Sequence, residues 1–184
     1  SCFESLAVIG SHWQSLAVIG SIESHWQSLN TSFQKQIDHY MSTREVGCQA
    51  PEVSGIDVAR TLSRLLGRLP ESVLFCANSL PIRLMDQWSC QDANVLIPVG
   101  TNRGASGIDG ILSTALGMAM GLEKPVVLLC GDLTFLYDQN VLIRIKESRY
   151  PVMIILLNNQ GGGIFEHLPI GKTSYAKPYF VTPP

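Results

Sequence analysis

Charge is what this sequence has least of: Asp, Glu, Lys and Arg make up 15% of its 184 residues, and the net charge is −2. So weak a balance gives no basic footprint for nucleic acid and no cationic face for an anionic membrane surface. No apolar run approaches the roughly 20 residues needed to cross a bilayer. No charged n-region leads into an apolar h-region with a cleavage site, so secretion is not indicated. The five cysteines (Cys2, Cys48, Cys76, Cys90, Cys130) are odd in number and lack CxxC spacing, which favours unpaired thiols in a reducing compartment. The histidines His12, His25, His39 and His167 form neither a triad nor a metal-ligand pair at helical spacing, and are set aside.

What is present is apolar and alternating. Hydrophobic residues reach 46%, and the chain is long enough for one domain with a real core. Ile56, Ala59, Leu62, Leu65, Leu66 and Leu69 recur at helical spacing before Pro70. Strands are then expected near Val73–Ala77, Val95–Val99, Val126–Cys130 and Val152–Leu157. Helices are expected around Pro81–Trp88, from about Asp109 to Gly121, and from about Asp138 to Ser148. The runs ending at Cys130 and Leu157 read as strands buried on both faces. Strand and helix in alternation predict βαβ units and an α/β fold, a doubly wound, mostly parallel sheet with helices on both faces.

The N-terminus duplicates itself. Ser5–Gly10 recurs as Ser15–Gly20, and Ser11–Leu16 recurs as Ser24–Leu29. Two copies at unequal offsets do not make a solenoid; a duplication, splicing or cloning scar is the preferred reading. The expected organisation is a scar-like segment over 1–23, a helix and linker over 24–55, and a ligand-binding domain over 56–184.

The chemistry concentrates at two strand ends. Gly131-Asp132 closes one apolar run, and Asn158-Asn159-Gln160-Gly161-Gly162-Gly163 closes the next. In open α/β sheets, ligands bind outside the carboxyl ends of strands. Asp132 and Asn159 offer hard oxygen ligands and the glycines leave a backbone carbonyl accessible, which suits Mg²⁺. The plainer alternative is that Asp132 caps a helix or turn and Asn158-Asn159 makes a turn. Gly100–Gly110 follows a strand and opens a helix, so its glycines allow close backbone approach and the helix start offers free N–H groups to an anion.

Gly-Asp, this spacer, then Asn-Asn resembles the diphosphate-binding signature of thiamine-diphosphate enzymes. Phe75–Arg83, Asn102–Gly110, Gly131–Asp138 and Asn158–Phe165 together resemble the menaquinone-pathway SEPHCHC synthases, whose homologues serve phylloquinone in plants. The resemblance runs in order over about residues 24 to 180. It implies the thiamine-diphosphate-binding fold, truncated relative to the family, with thiamine diphosphate and Mg²⁺ (or Mn²⁺) as cofactors. Asp132, Asn159 and the Gly161 carbonyl would hold the metal. Ser106, Gly107, Ile108, Gly131, Leu133, Gly162 and Ile164 would complete the cofactor site, with Ile108 as the apolar wedge beneath the thiamine; ordinary core packing is the alternative for Ile108. Leu133 stands where the broad superfamily usually has glycine.

The implied substrates are 2-oxoglutarate, which is decarboxylated, and isochorismate, to which the succinyl-semialdehyde carbanion adds. Arg83 and Arg103 match substrate-side positions, where a guanidinium fork can hold a carboxylate bidentately; a salt bridge is the plainer alternative. Ser79 matches a position that hydrogen-bonds substrate or cofactor, with Asn78 beside it. Ile164, Phe165 and Leu168 would be apolar cover. The family activates its cofactor with a glutamate from a pyrimidine-binding domain, which nothing in this chain resembles; Glu52, Glu71 and Glu123 are not substitutes. That domain would be supplied elsewhere, in a homo-oligomer whose setting is cytoplasmic, or plastid in a plant. The rival expectation is a noncatalytic remnant or interaction module, or another thiamine-dependent 2-oxoacid decarboxylase or carboligase.

Overall fold

A computed structural model describes residues 53–69, 71–90 and 97–181, together with isolated helical positions between 28 and 39. The chain divides into two compact units, Ser1–Glu52 and Val53–Pro184. The N-terminal duplication falls almost wholly outside the described residues, as do His12, His25, Cys2, Cys48 and Glu52.

Among the described residues the second unit has four parallel strands: β1 (Val73–Cys76), β2 (Val99–Gly100), β3 (Val126–Gly131) and β4 (Val152–Leu157). They lie in the order β2-β1-β3-β4. Three helices dominate: α1 (Gly55–Leu66), α2 (Leu80–Trp88) and α3 (Ile111–Leu122). Side chains of a strand alternate between faces, and this alternation divides the core in two. Val73, Phe75, Val126, Leu128 and Cys130 pack against Ile111, Leu112, Ala115 and Ala119 of α3. Leu74, Cys76, Val127 and Leu129 face the other way, onto Ala59, Leu62 and Leu66 of α1 and Met85 of α2. The expected sheet with helices on both faces is therefore present.

Local chemistry fixes the helix ends. α1 starts with a capping box: the Asp57 N–H donates to Ser54 Oγ (3.2 Å) and the Ser54 N–H to Asp57 Oδ2 (2.8 Å). It stops at Leu66, short of the expected Leu69, with Gly67 as its C-cap. α3 begins at Ile111 rather than Asp109, because Gly110 holds a left-handed conformation (φ 65°) just before it.

Three expectations need correction. Of the strand expected near Val95–Val99, residues 95–96 lie outside the described residues and Ile97 and Pro98 are not in a strand; β2 is Val99–Gly100. The helix expected from Asp138 begins six residues sooner: α4 (Asp132–Tyr137) starts directly on β3, a 3₁₀ turn spans Gln139–Val141, and α5 (Leu142–Glu147) follows. The break falls at Asp138, whose φ of −136° leaves the helical region and whose carboxylate is turned toward Ser113. Finally, β4 is not buried on both faces. It pairs only with β3 among the described residues, and Met153 and Leu156 remain 63% and 42% exposed.

Candidate cofactor site

The sheet order creates the site. From β1 the chain moves outward to β2, then returns to the opposite side of β1 for β3 and continues outward to β4. The connections therefore diverge between β1 and β3, and an open α/β sheet leaves a crevice outside the strand ends at such a switch point. Here that crevice has a volume of about 150 Å³. Ser79, Leu80 and Pro81 enter it from the end of β1, Gly131 to Thr134 from β3, and Asn159, Gly161, Gly162, Ile164 and Phe165 from the segment after β4. Ile108 reaches it from the loop before α3.

Asp132 is the charged centre of the crevice. It is 6% exposed, and both carboxylate oxygens are engaged: Oδ1 accepts the Leu133 N–H and Oδ2 accepts the Gly161 N–H, each at 2.8 Å. The capping alternative is thus partly realised, since Asp132 opens α4 and binds the next amide. Yet each oxygen keeps a second lone pair for another partner. The neighbouring thiol senses the site: burial, and then the negative charge of Asp132, push the Cys130 pKa up to about 12.

The two asparagines separate into two jobs. Asn158 Oδ1 accepts the Gln160 N–H at 2.9 Å, closing a local turn. Asn159 lines the crevice instead, with its side chain over Gly163, where an added Cβ would come within 2.5 Å of the Asn159 amide nitrogen. Gly161 has φ 126°, a region open to glycine and hostile to other residues. At Gly162 an added Cβ would strike the Phe180 carbonyl oxygen. The glycine run is thus required by close packing beneath the crevice. Phe165 covers it and meets Phe180 ring to ring at 5.6 Å. Leu168, expected to join this cover, is 47% exposed and does not line the crevice; the chain has passed from the 3₁₀ turn Gly163–His167 into extended backbone there.

A second, open polar bowl lies in the glycine loop, lined by Thr101 to Gly107 and Asp109. Arg103, Ser106 and Gly107 belong to this bowl. Arg83 lines neither cavity: its Nη1 donates to the Ser79 carbonyl at 2.6 Å, one turn back on its own helix. Ser79 is backbone-strained, with φ 74° and ψ −133°, the kind of outlier that clusters at ligand sites. The loop is held by a network that sequence reasoning passed over. Asn78 Nδ2 donates to the carbonyls of Asn102 (2.9 Å) and Gly107 (2.6 Å). Asn102 Nδ2 donates to Thr114 Oγ1 (3.1 Å), which donates to the Gly110 carbonyl (2.7 Å). The available signal was a polar residue ending an otherwise apolar strand, Phe75-Cys76-Ala77-Asn78.

A switch-point crevice carrying one buried carboxylate, a glycine run and a glycine-rich loop defines a ligand-binding domain of the open, parallel α/β class. Residues 92–183, half of the chain, match the family described as thiamine pyrophosphate enzyme, C-terminal TPP binding domain. The chain belongs to that family. It is also similar to 2-succinyl-5-enolpyruvyl-6-hydroxy-3-cyclohexene-1-carboxylate (SEPHCHC) synthases. It is 50% identical over 118 residues to that of Prosthecochloris aestuarii, covering 64% of this chain and 20% of the relative. Against the Chlorobium phaeobacteroides synthase the identity is 42% over 153 residues, 82% of this chain and 25% of the relative. Against that of Bacillus pumilus it is 40% over 164 residues, 89% of this chain and 27% of the relative. The chain thus spans a fifth to about a quarter of the length of these relatives. Among the described residues no helix is long and apolar enough to cross a membrane.

Proposed function

We propose that residues 56–184 form the diphosphate- and metal-binding half of a SEPHCHC synthase site, acting on 2-oxoglutarate and isochorismate in menaquinone or phylloquinone biosynthesis. The observation that carries this reading is that Asp132, Asn159 and Gly161 line one crevice at the switch point of the sheet. Their donor set is a carboxylate, an amide oxygen and a peptide carbonyl, hard oxygens that fit Mg²⁺ (or Mn²⁺). Among the described residues no group of three His, Cys, Asp or Glu could hold a metal ion. A cation here would therefore lean on one carboxylate and share its shell with phosphate oxygens and water, as Mg²⁺ commonly does. Thiamine diphosphate, when bound, supplies the carbanion chemistry that decarboxylation of a 2-oxo acid requires.

The chain's own residues have narrower tasks. Asp132 orients the Gly161 amide and anchors the metal. Gly131, Leu133 and Gly162 let the diphosphate approach the backbone closely, with Ser106, Gly107 and Ile164 completing the surround. Ile108 is the apolar support under the cofactor rings. Ser79 offers its hydroxyl at the crevice wall, and Arg83 and Arg103 supply positive charge for substrate carboxylates. A crevice of about 150 Å³ falls below the roughly 300 Å³ at which ligand pockets usually begin. It suits part of a cofactor, with the remainder covered by a pyrimidine-binding domain of a homo-oligomeric assembly.

Calorimetric titration of the purified chain with thiamine diphosphate, with and without Mg²⁺, tests the reading. Binding that requires Mg²⁺ supports it. Absence of binding under both conditions, with the chain folded, overturns the assignment of a self-sufficient diphosphate half-site.

A further inference from the structure

Asn78 follows β1 and faces the glycine loop, and it is 1% exposed. Every hydrogen-bonding group of its amide is used. Its two N–H bonds go to the carbonyls of Asn102 and Gly107, at 2.9 and 2.6 Å. Its oxygen accepts from Arg103 Nη1 at 3.0 Å. The residues it reaches bracket the loop that presents Arg103 to the polar bowl and Ile108 to the crevice.

The choice of amide over acid carries the argument. An aspartate at this position has no N–H to give the two loop carbonyls and would repel them. It would also pair with Arg103 and consume its charge. A neutral acceptor fixes the direction of the guanidinium through one donor and leaves the other four free. Among the described residues no carboxylate forms an ion pair with Arg103, although Asp109 lines the same bowl. We infer that Asn78 is a positioning residue: it shapes the Asn102–Gly107 loop and aims Arg103 while leaving that charge available to an anionic ligand.

The inference rests on reading Arg103 as a carboxylate-holding residue, but its test uses neither cofactor nor substrate and so fails separately from that reading. Phenylglyoxal labelling of the purified chain is followed by mass spectrometry at Arg103, with Arg68 as internal reference. In Asn78→Asp the new carboxylate should slow labelling of Arg103 at least threefold, while Arg68 is unaffected. In Asn78→Ala, amide hydrogen exchange over residues 101–110 should accelerate tenfold or more, while protection of Val126–Gly131 is retained. A variant that loses protection in Val126–Gly131 has lost its fold, and the other variant then decides. Unchanged Arg103 labelling in a folded Asn78→Asp chain, or unchanged loop exchange in a folded Asn78→Ala chain, overturns the inference.

Discussion

The Gly161 N–H donates to Asp132 Oδ2 at 2.8 Å, tying the segment after β4 to the first residue beyond β3. This bond spans 29 positions of sequence and closes the floor of the crevice. It ties two of the three proposed metal ligands to each other.

Replacing Asp132 by alanine strips acceptors from two backbone amides, those of Leu133 and Gly161. Leaving such groups unpaired should cost about 1–3 kcal/mol of stability, measured by urea unfolding. The same variant should lose Mg²⁺-dependent binding of thiamine diphosphate in calorimetry. Unchanged affinity would remove Asp132 from the metal assignment.

Gly161→Ala places a side chain where φ is 126°. A non-glycine residue held in such a region costs on the order of 1–3 kcal/mol, so the free energy of unfolding, measured in urea, should fall by that amount. A variant as stable as the parent would show that the loop relaxes freely.

Ser79 presents the opposite case. Its backbone (φ 74°, ψ −133°) is one that glycine adopts without strain. Ser79→Gly should therefore raise stability by roughly 1 kcal/mol, the strain relieved less the extra chain entropy glycine loses on folding. Ser79→Ala should give no such gain. A destabilised glycine variant would mean that the serine side chain, rather than its backbone, dominates there.

Cys76 is sealed between β1 and the α1–α2 layer, and burial raises its thiol pKa from 9.0 to about 12. Above pH 9 the unfolded chain can release this proton while the folded chain keeps it, so stability should decline between pH 9 and about pH 12 and be unaffected by this group below that window. Cys76→Ala, compared by thermal unfolding across the same range, should show a shallower decline. Parallel pH profiles for the two chains would assign the alkaline loss to other groups.

Asp138 lends a carboxylate to a helix that has no side-chain cap of its own. Its Oδ2 accepts the Ser113 N–H at 2.6 Å and its Oδ1 accepts the Ser113 hydroxyl at 2.8 Å, in the first turn of α3. Asp138→Ala should cost about 1 kcal/mol, the typical value of a lost N-cap. Hydrogen exchange should locate the loss at the start of α3. An unaltered exchange pattern there would mean that solvent replaces the cap at no cost.

The α/β alternation, the burial of β3 on both faces, and the delivery of Asp132 and Asn159 to strand ends were legible in the residues alone. Those features follow from periodicity and from apolar runs ending in polar residues, which are local in sequence. Spacing alone could not say that Asn158 would close a turn while Asn159 entered the crevice. Nor could it show that β4 would stay partly exposed on both faces, or that Asp138 would end one helix while capping another. Least visible was Asn78, one buried amide holding a loop that begins 24 positions away. Such relationships depend on which strands become neighbours, a choice made by packing over the whole sheet. They are settled in three dimensions, because a hydrogen bond takes its geometry from space and not from distance along the chain.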